Sequence, residues 1–114
     1  MHMYDHIIKK LSLIEGWIIT RSNDMAWPLG AIPQILEITS SNQWIVLGGD
    51  VVTPSGKYTY DSWFYDPVWR DSLDENVSRS VSRCLEYVSN YVKENGEAFY
   101  FTFSISDTHV GAVY

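Results

Sequence analysis

The chain predicts an α+β fold: a small, mostly antiparallel sheet with about three helices packed on one face. Three observations carry this. Apolar residues recur at helical spacing in three stretches, they alternate or run continuously in three others, and the two central strand-like runs are separated by a turn short enough for a hairpin. At 114 residues with 46% hydrophobic side chains, the sequence suits a single domain spanning 1–114 with an ordinary core. It contains no internal repeat or linker-like segment.

The first helix is expected from Asp5 to Glu15. Ile7, Ile8, Leu11 and Ile14 set its period, Asp5 can cap it and Gly16 can stop it. Trp17-Ile18-Ile19 reads as either a strand or a packed connector. Arg21 to Ala26 is polar and loop-like. Trp27-Pro28 opens a second helix through Leu29, Ile32, Ile35, Leu36 and Ile38. Pro33 is unwelcome inside a helix, so the regular part should begin near Ala31, with Trp27 to Gly30 as a lead-in.

Trp44 to Val52 and Lys57 to Tyr65 form the hairpin strands across Thr53-Pro54-Ser55-Gly56. In the second strand, Tyr58, Tyr60, Ser62 and Phe64 should share one face. Thr59, Asp61, Trp63 and Tyr65 should share the other. Asp71 or Ser72 caps the longest helix, whose stripe is Leu73, Val77, Val81, Cys84, Leu85, Val88, Tyr91 and Val92, and Asn95-Gly96 ends it. Glu97 to Ser106 alternates strictly, with Phe99, Phe101, Phe103 and Ile105 on one side. Asp107 to Tyr114 could add a last short strand.

The net charge is −6. Such a chain repels phosphate backbones, which disfavours nucleic acid as a partner, and it attracts a basic protein. Solubility alone also explains acidity. The single cysteine, Cys84, excludes an intramolecular disulfide and a cysteine-based zinc cluster. No stretch is long and apolar enough for a membrane helix and no signal peptide is visible, so a cytoplasmic protein without membrane association is expected.

Gly48-Gly49-Asp50 interrupts an apolar strand. The spacing fits neither a dinucleotide fingerprint nor a phosphate loop. The plain reading is a bulged strand with a turn-stabilising aspartate. Asp50, Asp61 and Asp66 could form a carboxylate cluster. Too few ligands accompany them for a metal, and recognition of Arg or Lys on a partner suits them better than acid–base catalysis. His2, His6 and His109 lack a zinc pattern, no serine sits in a nucleophile elbow, and Cys84 reads as buried packing. Trp27, Trp44, Trp63 and Trp69 are core residues by default, with Trp63 the best contact candidate because Asp61 and Tyr65 share its face.

Trp27-Pro28-Leu29-Gly30, Val46-Leu47-Gly48-Gly49-Asp50-Val51 and Tyr60-Asp61-Ser62-Trp63-Phe64 together resemble the immunity protein 40 family of bacterial polymorphic toxin systems. The resemblance runs from about Ala26 to Asp66. It implies a non-enzymatic α+β protein that binds and neutralises a cognate toxin domain, without cofactor or metal. The acidic balance suits a basic nuclease toxin. Gly48, Gly49, Asp50, Asp61 and Trp63 carry the family motif. The expected partner-binding residues are Asp50, Asp61, Trp63, Asp66 and Trp27, with Gly48 and Gly49 structural. The alternative is a small ligand-binding domain or enzyme with a pocket beside Gly48–Asp50.

Overall fold

A computed structural model describes residues 5–107. Three helices and six strands, all paired antiparallel, make an α+β fold. Helix α1 spans Asp5–Ser12, and its last turn tightens as Ile14 N–H donates to Leu11 O at 3.0 Å. Two indoles finish this end: Trp17 Nε1 donates to Ser12 O at 3.1 Å and Trp27 Nε1 to Ile14 O at 3.3 Å. Strand β1 is Ile18–Ile19, which resolves the ambiguity of that run.

Met25–Pro28 is strand β2, where a loop and a helix start were expected. The cause is local. Proline clashes with an α-helical residue before it, so Trp27 is driven into extended backbone. A 3₁₀ turn, Leu29–Ala31, leads into helix α2, Ile32–Ser41, with Pro33 in the first turn where it is tolerated. The hairpin forms as expected from β3, Ile45–Val52, and β4, Tyr58–Phe64, across the Pro54–Gly56 turn.

Helix α3, Leu73–Asn95, starts at Ser72. Glu75 N–H donates to Ser72 Oγ, and Glu75 Oε1 accepts from Ser72 N–H. Its inward face is Asn76, Val77, Ser80, Cys84, Val88 and Tyr91. Polar Asn76 and Ser80 take places where an apolar stripe was expected, and Leu85 is exposed. The last strand is split into β5, Tyr100–Phe101, and β6, Ser104–Ser106. Phe101, Phe103 and Ile105 are nonetheless buried as the alternation predicts. The expected strand in the tail lies outside the described residues.

The sheet runs β1-β2-β5-β3-β4, with β6 continuing beside β3. Helix α3 lies against β3 and β4, α2 against α3 and β3, and α1 against α2. One core fills the space, built on Trp27, Phe101, Phe103, Val46, Val51, Trp63, Ile35 and Leu11. Among the described residues, no strand pairs with the outer side of β4, which is an open edge.

Candidate functional site

The double glycine sits where three strands come closest. Gly48 has φ +150°, and a Cβ there would collide with the Trp63 carbonyl and lie 2.9 Å from Phe64 Cα. A Cβ on Gly49 would collide with Thr102 O and lie 2.5 Å from Trp63 Cη2. The register slips between Val46 and Gly48 in the β3–β6 ladder, which marks a bulge. Side chains repair the lost pairing: Ser80 Oγ accepts from Val46 N–H at 3.1 Å, and Thr102 Oγ1 accepts from Asp50 N–H at 2.9 Å. The bulged-strand reading of the motif therefore holds. The Trp63 ring packs directly against Gly49.

A second irregularity lies across the hairpin. The β3–β4 register shifts between Asp50 and Val52, and Tyr60 adopts φ +70°, left-handed backbone that a bulky residue rarely takes. Thr59 Oγ1 braces it, donating to Val51 O at 2.9 Å and accepting from Asp61 N–H at 3.1 Å. The expected face-sharing of Tyr58, Tyr60, Ser62 and Phe64 is broken here. Tyr60 is 92% exposed.

Next to Tyr60, Asp61 is exposed and accepts a hydrogen bond from the Tyr91 hydroxyl at 2.9 Å. Tyr91 continues an aromatic row. Its ring stacks on Tyr87 at 5.9 Å, and Tyr87 stacks on Trp63 at 5.2 Å. Burial, then the Asp61 charge, raises the Tyr87 phenol above its ordinary value, and Asp50 adds in the same direction. Burial and the bond to Asp61 raise Tyr91 likewise.

The open edge continues past β4. Tyr65 N–H donates to Leu47 O, so by alternation the N–H groups of Phe64 and Ser62 point away from the sheet. Of eight large apolar residues exposed among those described, four (Tyr60, Phe64, Val68 and Trp69) fall within residues 60–69. Asn76 holds this segment on α3. Its Oδ1 accepts from the Tyr65 hydroxyl and Val68 N–H, each at 2.7 Å, and its Nδ2 donates to Val68 O at 3.0 Å.

Asp50 and Asp61 thus both act on the Tyr87 phenol, while Asp66 is exposed on the segment that follows. Trp63 is 3% exposed and Trp27 is fully buried, so both indoles, expected as contact residues, lie in the core of the unbound chain. Both are short-range traps for sequence reading, since an indole in an alternating run has an equal claim to either face. Trp63 Nε1 is buried without a hydrogen-bond partner. Tyr87 and Asn76 were not singled out from sequence, Tyr60 and Phe64 entered only as strand and motif residues, and Trp69, core by default in the sequence, is 52% exposed. For Tyr87 the legible signal was its i, i+4 spacing to Tyr91, which the helical stripe already contained.

The sequence model of immunity protein 40 matches residues 11–105, nearly the whole chain. The protein belongs to the immunity protein 40 family. The family match extends well beyond the Ala26–Asp66 region where the resemblance was legible, and takes in α3, β5 and most of β6. Neither the curated proteins nor the solved structures give a match.

Other expectations for an immunity protein 40 member can be placed on the fold. His6 pairs with Asp107 at 3.0 Å and meets Trp44 edge-on, while His2 and His109 lie outside the described residues. Cys84 is fully buried, and burial pushes its thiol up to about 12. Among the described residues no group of three or more His, Cys, Asp or Glu could hold a metal, and no helix is long and apolar enough to cross a membrane.

Proposed function

We propose that this immunity protein 40 member binds a cognate toxin domain and blocks it by occupation, acting in the cytoplasm of the cell it protects and without catalysis of its own. Family membership supports the toxin as partner. The observation that carries the surface is the edge formed by β4 and the segment after it: exposed Tyr60, Phe64, Val68 and Trp69 interleaved with Asp61 and Asp66. Aromatic anchors beside charges are the composition of interface hot spots. Half-buried Asp50 on β3 adds to the acidic contribution, and Trp63 supports the edge from inside.

None of the ion pairs among the described residues uses Asp50, Asp61 or Asp66. With a net charge of −6, the favoured toxin surface is basic, as a nuclease's substrate cleft would be. Co-expression with the toxin encoded beside it should rescue growth and yield a stable complex. In that complex, amide hydrogen exchange should slow in residues 60–69. Rescue with no protection there would move the interface elsewhere, and no complex would remove the reading.

A further inference from the structure

Between β4 and the C-terminal half of α3 lies a cleft of about 390 Å³ lined by Asp61, Arg83, Tyr87, Asn90, Tyr91 and Glu94. Its chemistry is uneven. One wall is aromatic, because Tyr87 and Tyr91 stack at 25° and Trp63 backs Tyr87 from the core. The mouth carries two carboxylates, Asp61 and Glu94, and neither takes part in an ion pair among the described residues. The Tyr91 hydroxyl holds Asp61 Oδ2 and so fixes the direction of the carboxylate, leaving Oδ1 and the second lone pair of Oδ2 to accept from a newcomer. The chain itself demonstrates what the wall accepts: the Arg83 guanidinium lies 5.9 Å from the Tyr87 ring centre.

From this we propose that the cleft is a receptor for one arginine side chain of the partner, its guanidinium stacked on the tyrosine wall and forked onto Asp61. The proposal rests on the reading that the partner is a toxin protein. Charge complementarity selects a cation. Planarity selects arginine over lysine, since only a guanidinium can stack on a ring face and bridge a carboxylate with two parallel N–H groups.

The test has two arms. In the first, N-acetyl-arginine amide is titrated into the protein while the Tyr87 and Tyr91 ring resonances are followed by NMR, with the citrulline analogue as the uncharged control. Saturable shifts with arginine, none with citrulline, and weakening of at least about tenfold in Asp61→Asn are expected, as for loss of a charge-assisted hydrogen bond. Equal response to citrulline, no saturable response, or an unchanged Asp61→Asn overturns the proposal. In the second arm, toxin affinity is compared for wild type, Asp61→Asn and Glu94→Gln, each checked for an unchanged melting temperature. Toxin bound equally by all three overturns the arginine receptor and leaves the toxin reading intact. Arginine bound at the cleft with no toxin binding by wild type removes the toxin reading instead.

Discussion

The Tyr91 hydroxyl donates to Asp61 Oδ2 at 2.9 Å, joining the inward face of α3 to the exposed edge strand β4. This bond makes an acidic surface group part of the packing, and it links stability to pH. The Tyr91 phenol is raised above its ordinary value of 10.0 by burial and by Asp61, and burial raises Tyr87 and Tyr58 in the same direction. A raised folded-state value means the unfolded chain releases its protons first. The stabilisation is therefore complete below about pH 10 and is lost as pH rises through the folded values. Melting temperature measured from about pH 8 upward should fall across this window, and Tyr91→Phe should make the fall shallower.

Gly49→Ala should destabilise by about 3 kcal/mol, because its Cβ meets the Thr102 carbonyl and the Trp63 ring, neither of which can yield without opening the sheet. Gly30→Ala is the control, since nothing lies within 4 Å of the added carbon. Urea unfolding of the two variants against wild type measures the difference. Equal midpoints would mean that Trp63 swings away freely.

Asn76 is fully buried and holds the segment after β4 through both ends of its amide. Asn76→Leu leaves Val68 and Tyr65 groups without partners and should cost about 2–3 kcal/mol. The loss should be local first. Limited proteolysis should find cleavage in residues 66–71 before the midpoint of global unfolding moves far.

Tyr60→Gly tests whether the left-handed backbone at φ +70° is carried for function. Glycine takes this conformation without steric cost, so stability should hold or rise by up to about 1 kcal/mol. Toxin affinity should fall, since a 92% exposed side chain has little to lose except a partner. A variant that loses stability and keeps affinity would reverse that assignment.

Periodicity and turn chemistry were enough for the α+β class, the three helices, the hairpin and the capped start of α3. Each is dictated by neighbours within a few residues: Ser72 with Glu75, Pro54 with Gly56, the alternation of Phe101, Phe103 and Ile105. Gly48-Gly49-Asp50 could be recognised from sequence as a bulge. The residue before a proline avoids helical backbone, which favours strand β2 at Trp27, but the apolar spacing downstream gives the same stretch the look of a helix start.

What the sequence by itself determined is thus the three helices, the hairpin, the acid balance and, through its motif residues, the family. What only the tertiary structure decided is which side chains are surface. Trp63 turns inward because Gly49 leaves it room across β3, while Phe64 next to it turns out. Asp61 acquires Tyr91 as a partner 30 positions away, and Asn76 becomes a clasp instead of a solvated polar residue. Alternation assigns neighbours to opposite faces but cannot say which face is covered. That choice depends on α3 lying across β3 and β4, a long-range contact that no local pattern encodes.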